Sequence, residues 1–128
     1  MKREQVMAMT DSDLRIEVAK LTGATDFAYN PYDENRIQAY WPENDKGDGE
    51  EWREIPDYPN DIAAAWELVD YMGFQKEFDL ELAGGLPVWE ASWEASFMPT
   101  DGRGFGLMRG ETAPRAITRA FILAMQEG

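Results

Sequence analysis

The stretch Trp89-Glu-Ala-Ser-Trp-Glu-Ala-Ser-Phe97 constrains the fold more than any other part of the chain. Trp89, Ala91, Trp93, Ala95 and Phe97 alternate with Glu90, Ser92, Glu94 and Ser96. A period of two belongs to a strand with one buried and one polar face, because successive side chains point to opposite sides of a sheet. Gly84-Gly85 before it and Asp101-Gly102 after it are turn signals. Upstream, Phe78, Leu80 and Leu82 alternate with Glu77, Asp79 and Glu81, and downstream Gly104 to Arg109 reads as a Gly-rich return strand. Tight turns join antiparallel neighbours, so these three strands form a meander.

Helical spacing surrounds that meander. Thr10, with Asp13 three residues on, resembles a capping box, and Leu14, Val18 and Leu21 then fall on one face. Gly23 stops this helix as a C′ glycine does, and Ile16, off the stripe, is expected to meet Val6 or Met9 from a short leading helix. Residues 36–41 alternate as a strand that Pro42 ends, and an acidic loop, 43–57, carries Trp52 in its middle. Pro59-Asn60-Asp61 starts a second helix with Ile62, Ala65, Trp66 and Val69 as its buried stripe, Glu67, Asp70 and Tyr71 on the other side, and Gly73 at its close. Thr112 caps a last helix with Pro114 in the first turn, an apolar stripe of Ile117, Phe121 and Ala124, and Arg115 and Arg119 on another face. The expectation is an α+β fold: an antiparallel sheet of about four strands packed with three main helices. A chain of 128 residues without repeats or an internal linker reads as one domain, 1–128.

Composition narrows the chemistry. The absence of Cys and His removes thiolate nucleophiles, imidazole bases, disulfides and ordinary zinc sites. Residues 87–128 nearly balance Glu90, Glu94, Asp101, Glu111 and Glu127 against Arg103, Arg109, Arg115 and Arg119, so the rest of the chain carries most of the net charge of −13. Such a surface repels nucleic acid and anionic membranes and attracts basic partners. No apolar run approaches the ~20 residues of a membrane span, and no export signal opens the sequence. The expected compartment is the cytoplasm.

Several constellations invite a site. Asp45-Lys-Gly-Asp-Gly-Glu-Glu51 suggests calcium, but Lys46 and Ile55 fall where an EF-hand needs acids, so no metal is expected. Gly102-Arg-Gly-Phe-Gly106 lacks the third glycine of a dinucleotide loop, and its glycines leave room for Trp89 or Trp93 to lie across the neighbouring strand. Glu77, Asp79, Glu90 and Glu94 are expected on one sheet face, and a turn near Gly84-Gly85 would set Asp79 almost opposite Glu90; a carboxylate pair of glycosidase type looks like this, and so does a wet edge or a face neutralised by Arg115 or Arg119 from the last helix. Arg103, Arg109, Arg115 and Arg119 form a candidate anion-binding set, against internal pairing with carboxylates. Trp52, set among Glu43, Asp45, Asp48, Glu50, Glu51 and Glu54, forms a candidate interaction surface, an aromatic anchor inside an acidic rim.

Two segments resemble a known family. Ile55-Pro-Asp-Tyr-Pro-Asn-Asp-Ile-Ala-Ala-Ala-Trp-Glu-Leu-Val69 is similar to the central helix motif of the phage ABA-sandwich proteins, and Glu111-Thr-Ala-Pro-Arg-Ala-Ile-Thr-Arg-Ala-Phe121 to their C-terminal helix motif. Val18-Ala-Lys-Leu-Thr-Gly23 fits their opening helix. The resemblance implies a three-layer α/β/α sandwich and a phage or prophage origin, with no cofactor and no catalytic residues attached. The expectation that follows is a non-enzymatic accessory protein that binds and inhibits a basic host protein, a defence or nucleic-acid-processing factor, in the bacterial cytoplasm. The alternatives are a sponge for a nucleotide signal, using the arginines and sheet aromatics, and a structural or interaction protein of other kind. Open sheet edges make a homo-oligomer a further expectation.

Overall fold

The structure, a computed structural model, describes residues 3–30, 32–42, 51–75, 78–83, 93–99 and 108–127. In chain order these form α1 (Arg3–Ala8), α2 (Asp11–Leu21), β1 (Asp26–Asn30), β2 (Asp33–Trp41), β3 (Glu51–Glu54), α3 (Ile62–Gln75), β4 (Phe78–Ala83), β5 (Trp93–Pro99), β6 (Met108–Gly110) and α4 (Ala113–Glu127). The class is α+β, with two antiparallel three-stranded sheets, ordered β1-β2-β3 and β4-β5-β6, in place of one sheet of about four strands. The second sheet is the expected meander. The first exceeds expectation at both edges: Asp26–Asn30 adds a strand, and Glu51–Glu54 turns the middle of the expected acidic loop into another.

Local chemistry accounts for the helix ends. The Thr10 hydroxyl accepts from the Asp13 nitrogen at 3.2 Å while the Asp13 carboxylate accepts from the Thr10 nitrogen at 3.4 Å, closing the capping box. At the other end Ala24 N donates to Ala19 O and Gly23 N to Lys20 O, a Schellman pair that requires the left-handed Gly23, φ 107°. The Asp61 carboxylate accepts from Ala63 N at 2.9 Å to open α3, and the Thr112 hydroxyl accepts from Arg115 N at 3.4 Å to open α4. Gly73 does not close α3, which runs on to Gln75; an isolated glycine costs a formed helix only ~1 kcal/mol.

The core is one cluster in which α4 is central. It is buried from Pro114 to Ala124 apart from half-buried Arg115, so the expected apolar stripe is instead apolar contact nearly all round. α1, α2, α3, β5 and β6 all pack against it. Ala95 and Phe97 of β5 and Met108 of β6 are fully buried, and the Phe97 ring meets Phe121 edge-on at 6.4 Å. Tyr71, expected to face away, also reaches Phe121, at 5.8 Å.

α3 departs furthest from its expected face. Ala64, Ala65, Leu68 and Met72 are buried, whereas Ile62 and Trp66 are 50% and 48% exposed. Consecutive alanines let α3 approach α4 closely, and that choice of contact rotates Ile62 and Trp66 out of the interface. The sheet formed by β1, β2 and β3 buries Ile37, Ala39 and Trp41 on its inner face. The Trp41 indole donates to the Thr22 hydroxyl at 3.4 Å and carries the Arg53 guanidinium 4.2 Å from its ring centroid. Buried Arg15 of α2 donates to the carbonyls of Ile55 and Pro56, tying the end of β3 to the helices.

Candidate functional site

The outer face of the first sheet is wet. Arg36, Gln38, Trp52 and Glu54 are all exposed. The antiparallel register sets Tyr40 opposite Trp52 and Gln38 opposite Glu54. In that register the Tyr40 and Trp52 rings lie 5.4 Å apart, tilted by 41°, and Trp52 remains 50% exposed. A depression of about 350 Å³ beside them is lined by Ala28, Tyr29, Arg36, Gln38 and Glu54. Within it Arg36 Nε lies 3.4 Å from Glu54 Oε1, an ion pair that is solvent-exposed on both sides and weak.

Trp52 is therefore not a loop residue. It is held by a strand and a neighbouring ring, which limits the rotamer freedom that a partner would otherwise have to freeze. Glu54 shares its face, and the backbone of Glu51 lies at the start of the same strand. Glu43, Asp45, Asp48 and Glu50, with the calcium-like motif, lie outside the described residues. Of the expected acids, Glu54 is the one described side chain on the face of Trp52, two positions on in the same strand, while pairing with β2 supplies Tyr40.

The arginine set divides differently. Arg103 and the glycines of 102–106 lie outside the described residues. Arg109 Nε sits 3.0 Å from Glu94 Oε1 across β6 and β5. Arg115 contacts Asp11 Oδ1 at 2.8 Å, Asn60 Oδ1 at 3.1 Å and Glu111 Oε2 at 3.5 Å, joining the starts of α2, α3 and α4. Arg119 is buried; its Nη1 donates to the Arg109 carbonyl at 2.8 Å and lies 3.7 Å from Glu111 Oε2. Burial lowers the Arg119 pKa below the ordinary arginine value, Glu111 opposes that, Arg115 adds to it and Asp11 opposes it. Arg115 and Arg119 thus share one carboxylate, and Arg109 faces another.

The carboxylate pair takes a different geometry from the one expected. β4 and β5 place Asp79 opposite Met98, so Asp79 does not oppose Glu90, which lies outside the described residues. Glu94 stands between Ala83 and Arg109, and the neutralising arginine comes from the adjacent strand rather than from α4. Gly110, at the end of the meander, lies against the last helix: a Cβ there would be 2.5 Å from Ala116 N, so the helix backbone requires a glycine. Among the described residues no group of three or more potential ligands could hold a metal ion, and no helix is long and apolar enough to cross a membrane.

Four helices packed with two antiparallel three-stranded sheets define an α+β protein whose first sheet exposes Trp52, tilted against Tyr40, beside Glu54. The chain belongs to the phage ABA sandwich domain family, whose model matches residues 4–122. A phage protein from Bacillus cereus ATCC 14579 has a similar fold: its crystal structure superposes with a TM-score of 0.57 over 91% of this chain and 93% of that one, at 21% identity. No curated protein matches the chain in sequence.

Proposed function

We propose that the chain is a phage or prophage accessory protein that acts by binding rather than by catalysis. Its target is a basic protein of the bacterial host, a defence or nucleic-acid-processing factor, met in the cytoplasm and inhibited there. The observation that carries this reading is Trp52: half exposed, braced on Tyr40, and next to exposed Glu54 at the end of a strand that follows an acidic stretch of sequence. A rigid aromatic supplies contact area at small entropic cost, and surrounding carboxylates steer a cationic partner and select against acidic ones. The net charge of −13 extends that steering over the whole surface.

The test is affinity capture from host lysate by the wild type, by Trp52→Ala, and by Glu50→Gln/Glu51→Gln/Glu54→Gln. A basic protein held by the wild type, released by salt and lost by about tenfold or more in both variants supports the proposal. Equal capture by all three chains refutes it.

A further inference from the structure

The geometry points to a second docking surface, on the outer face of α3, which takes a cationic amphipathic helix of another protein. Ile62 and Trp66, one turn apart, stand half exposed at 50% and 48%. They lie on the side of α3 turned away from Ala64, Ala65, Leu68 and Met72, the residues buried in the core. The remaining exposed charges on and just before this helix are Asp61, Glu67 and Asp70, and α3 contains no Lys or Arg. An indole beside an isoleucine, rimmed by acids of one sign, is the pattern of an interface anchor with a polar margin. It lies on a different element from Trp52 and stands whether or not the Trp52 surface binds anything.

The shape and the charge choose the occupant. Anchors at i and i+4 form a ridge along a helix, and a ridge of that kind seats between the side chains of another helix crossing it. The partner's flanking residues must be Lys or Arg to meet Glu67 and Asp70. A second copy of this chain is the wrong partner, because a two-fold contact through α3 would set the same acids against themselves.

The probe is a labelled synthetic peptide of about 18 residues, Leu and Lys arranged at helical spacing, with a scrambled peptide of the same composition as control. Fluorescence anisotropy is expected to give binding to the wild type that weakens by about tenfold or more in Ile62→Ala/Trp66→Ala. Glu67→Lys/Asp70→Lys, which leaves the apolar ridge intact, is expected to weaken it as much, and the scrambled peptide to bind at least about tenfold worse than the patterned one. Matching thermal melts establish that both variants fold. No binding by the wild type, undiminished binding by either variant, or equal binding of the scrambled peptide overturns the proposal. So does sedimentation as a dimer that Ile62→Ala/Trp66→Ala converts to a monomer, which would assign the face to a second copy.

Discussion

Gly110 ends β6 two residues before Thr112 caps α4, and its backbone touches the helix it leads into. A Cβ there would lie 2.5 Å from Ala116 N and 2.9 Å from Ala116 Cα, both backbone atoms that cannot swing aside. Gly110→Ala is therefore expected to cost about 1–3 kcal/mol in denaturant unfolding, because α4 must shift against the core; an unchanged midpoint would contradict that close approach. Arg15 works in the opposite way, by filling a need rather than by leaving space. Its guanidinium supplies the donors for the Ile55 and Pro56 carbonyls, and Arg15→Met is expected to cost about 2–3 kcal/mol, read from the same unfolding curves. The two residues differ in how visible they are in sequence. A capping residue such as Thr10 or Asp61 bonds a backbone group two or three positions away, so its role is readable locally. Arg15 serves carbonyls some forty positions away, and nothing in a helix of mixed composition marks one cation as the buried one.

Among the elements, α4 and α3 show how much a helix owes to its neighbours. The sequence of α4 reads as one apolar stripe with arginines beside it, yet Thr118 is also buried, its hydroxyl donating to the Pro114 carbonyl at 2.7 Å. Arg119 is buried too, satisfied in part by the Arg109 carbonyl. Polar groups can occupy the inner faces of a central helix because partners from β6 and from the first turn of the helix itself are in place to receive them. Phe121, touched by rings from both α3 and β5, is expected to be among the costliest truncations: Phe121→Ala should lose about 3–5 kcal/mol by chemical denaturation. A loss below about 1 kcal/mol would show that the aromatic contacts do not hold α4 in place. The strands teach the same lesson. The meander β4-β5-β6 is legible in the sequence because alternation and turn residues are local signals. β3 is not, since Trp52 belongs to a strand only by virtue of the hydrogen-bonded register with β2.

Over the whole molecule, net charge acts on stability in a way that no single contact represents. The chain has 25 acidic and 12 basic residues, and the described ion pairs are largely exposed or shared. Self-repulsion should therefore outweigh the loss of surface pairs when salt is added. Raising sodium chloride from about 20 mM to about 500 mM is expected to raise the melting temperature by about 2–6 °C; a fall would mean that the surface pairs dominate. The family and the α+β class can be read in the chain itself, because the capping box, turn glycines, alternating strands and the motifs at 55–69 and 111–121 are contiguous signals. The absence of Cys and His likewise sets the limits of the chemistry from composition alone. Only the tertiary structure decided that Trp66 faces out while Arg119 faces in, that Trp52 is braced on Tyr40, and that Glu94 meets Arg109 rather than another acid. Each of these depends on which surfaces approach closely enough to exclude water, and that choice is settled by side chains far apart in sequence competing for one core.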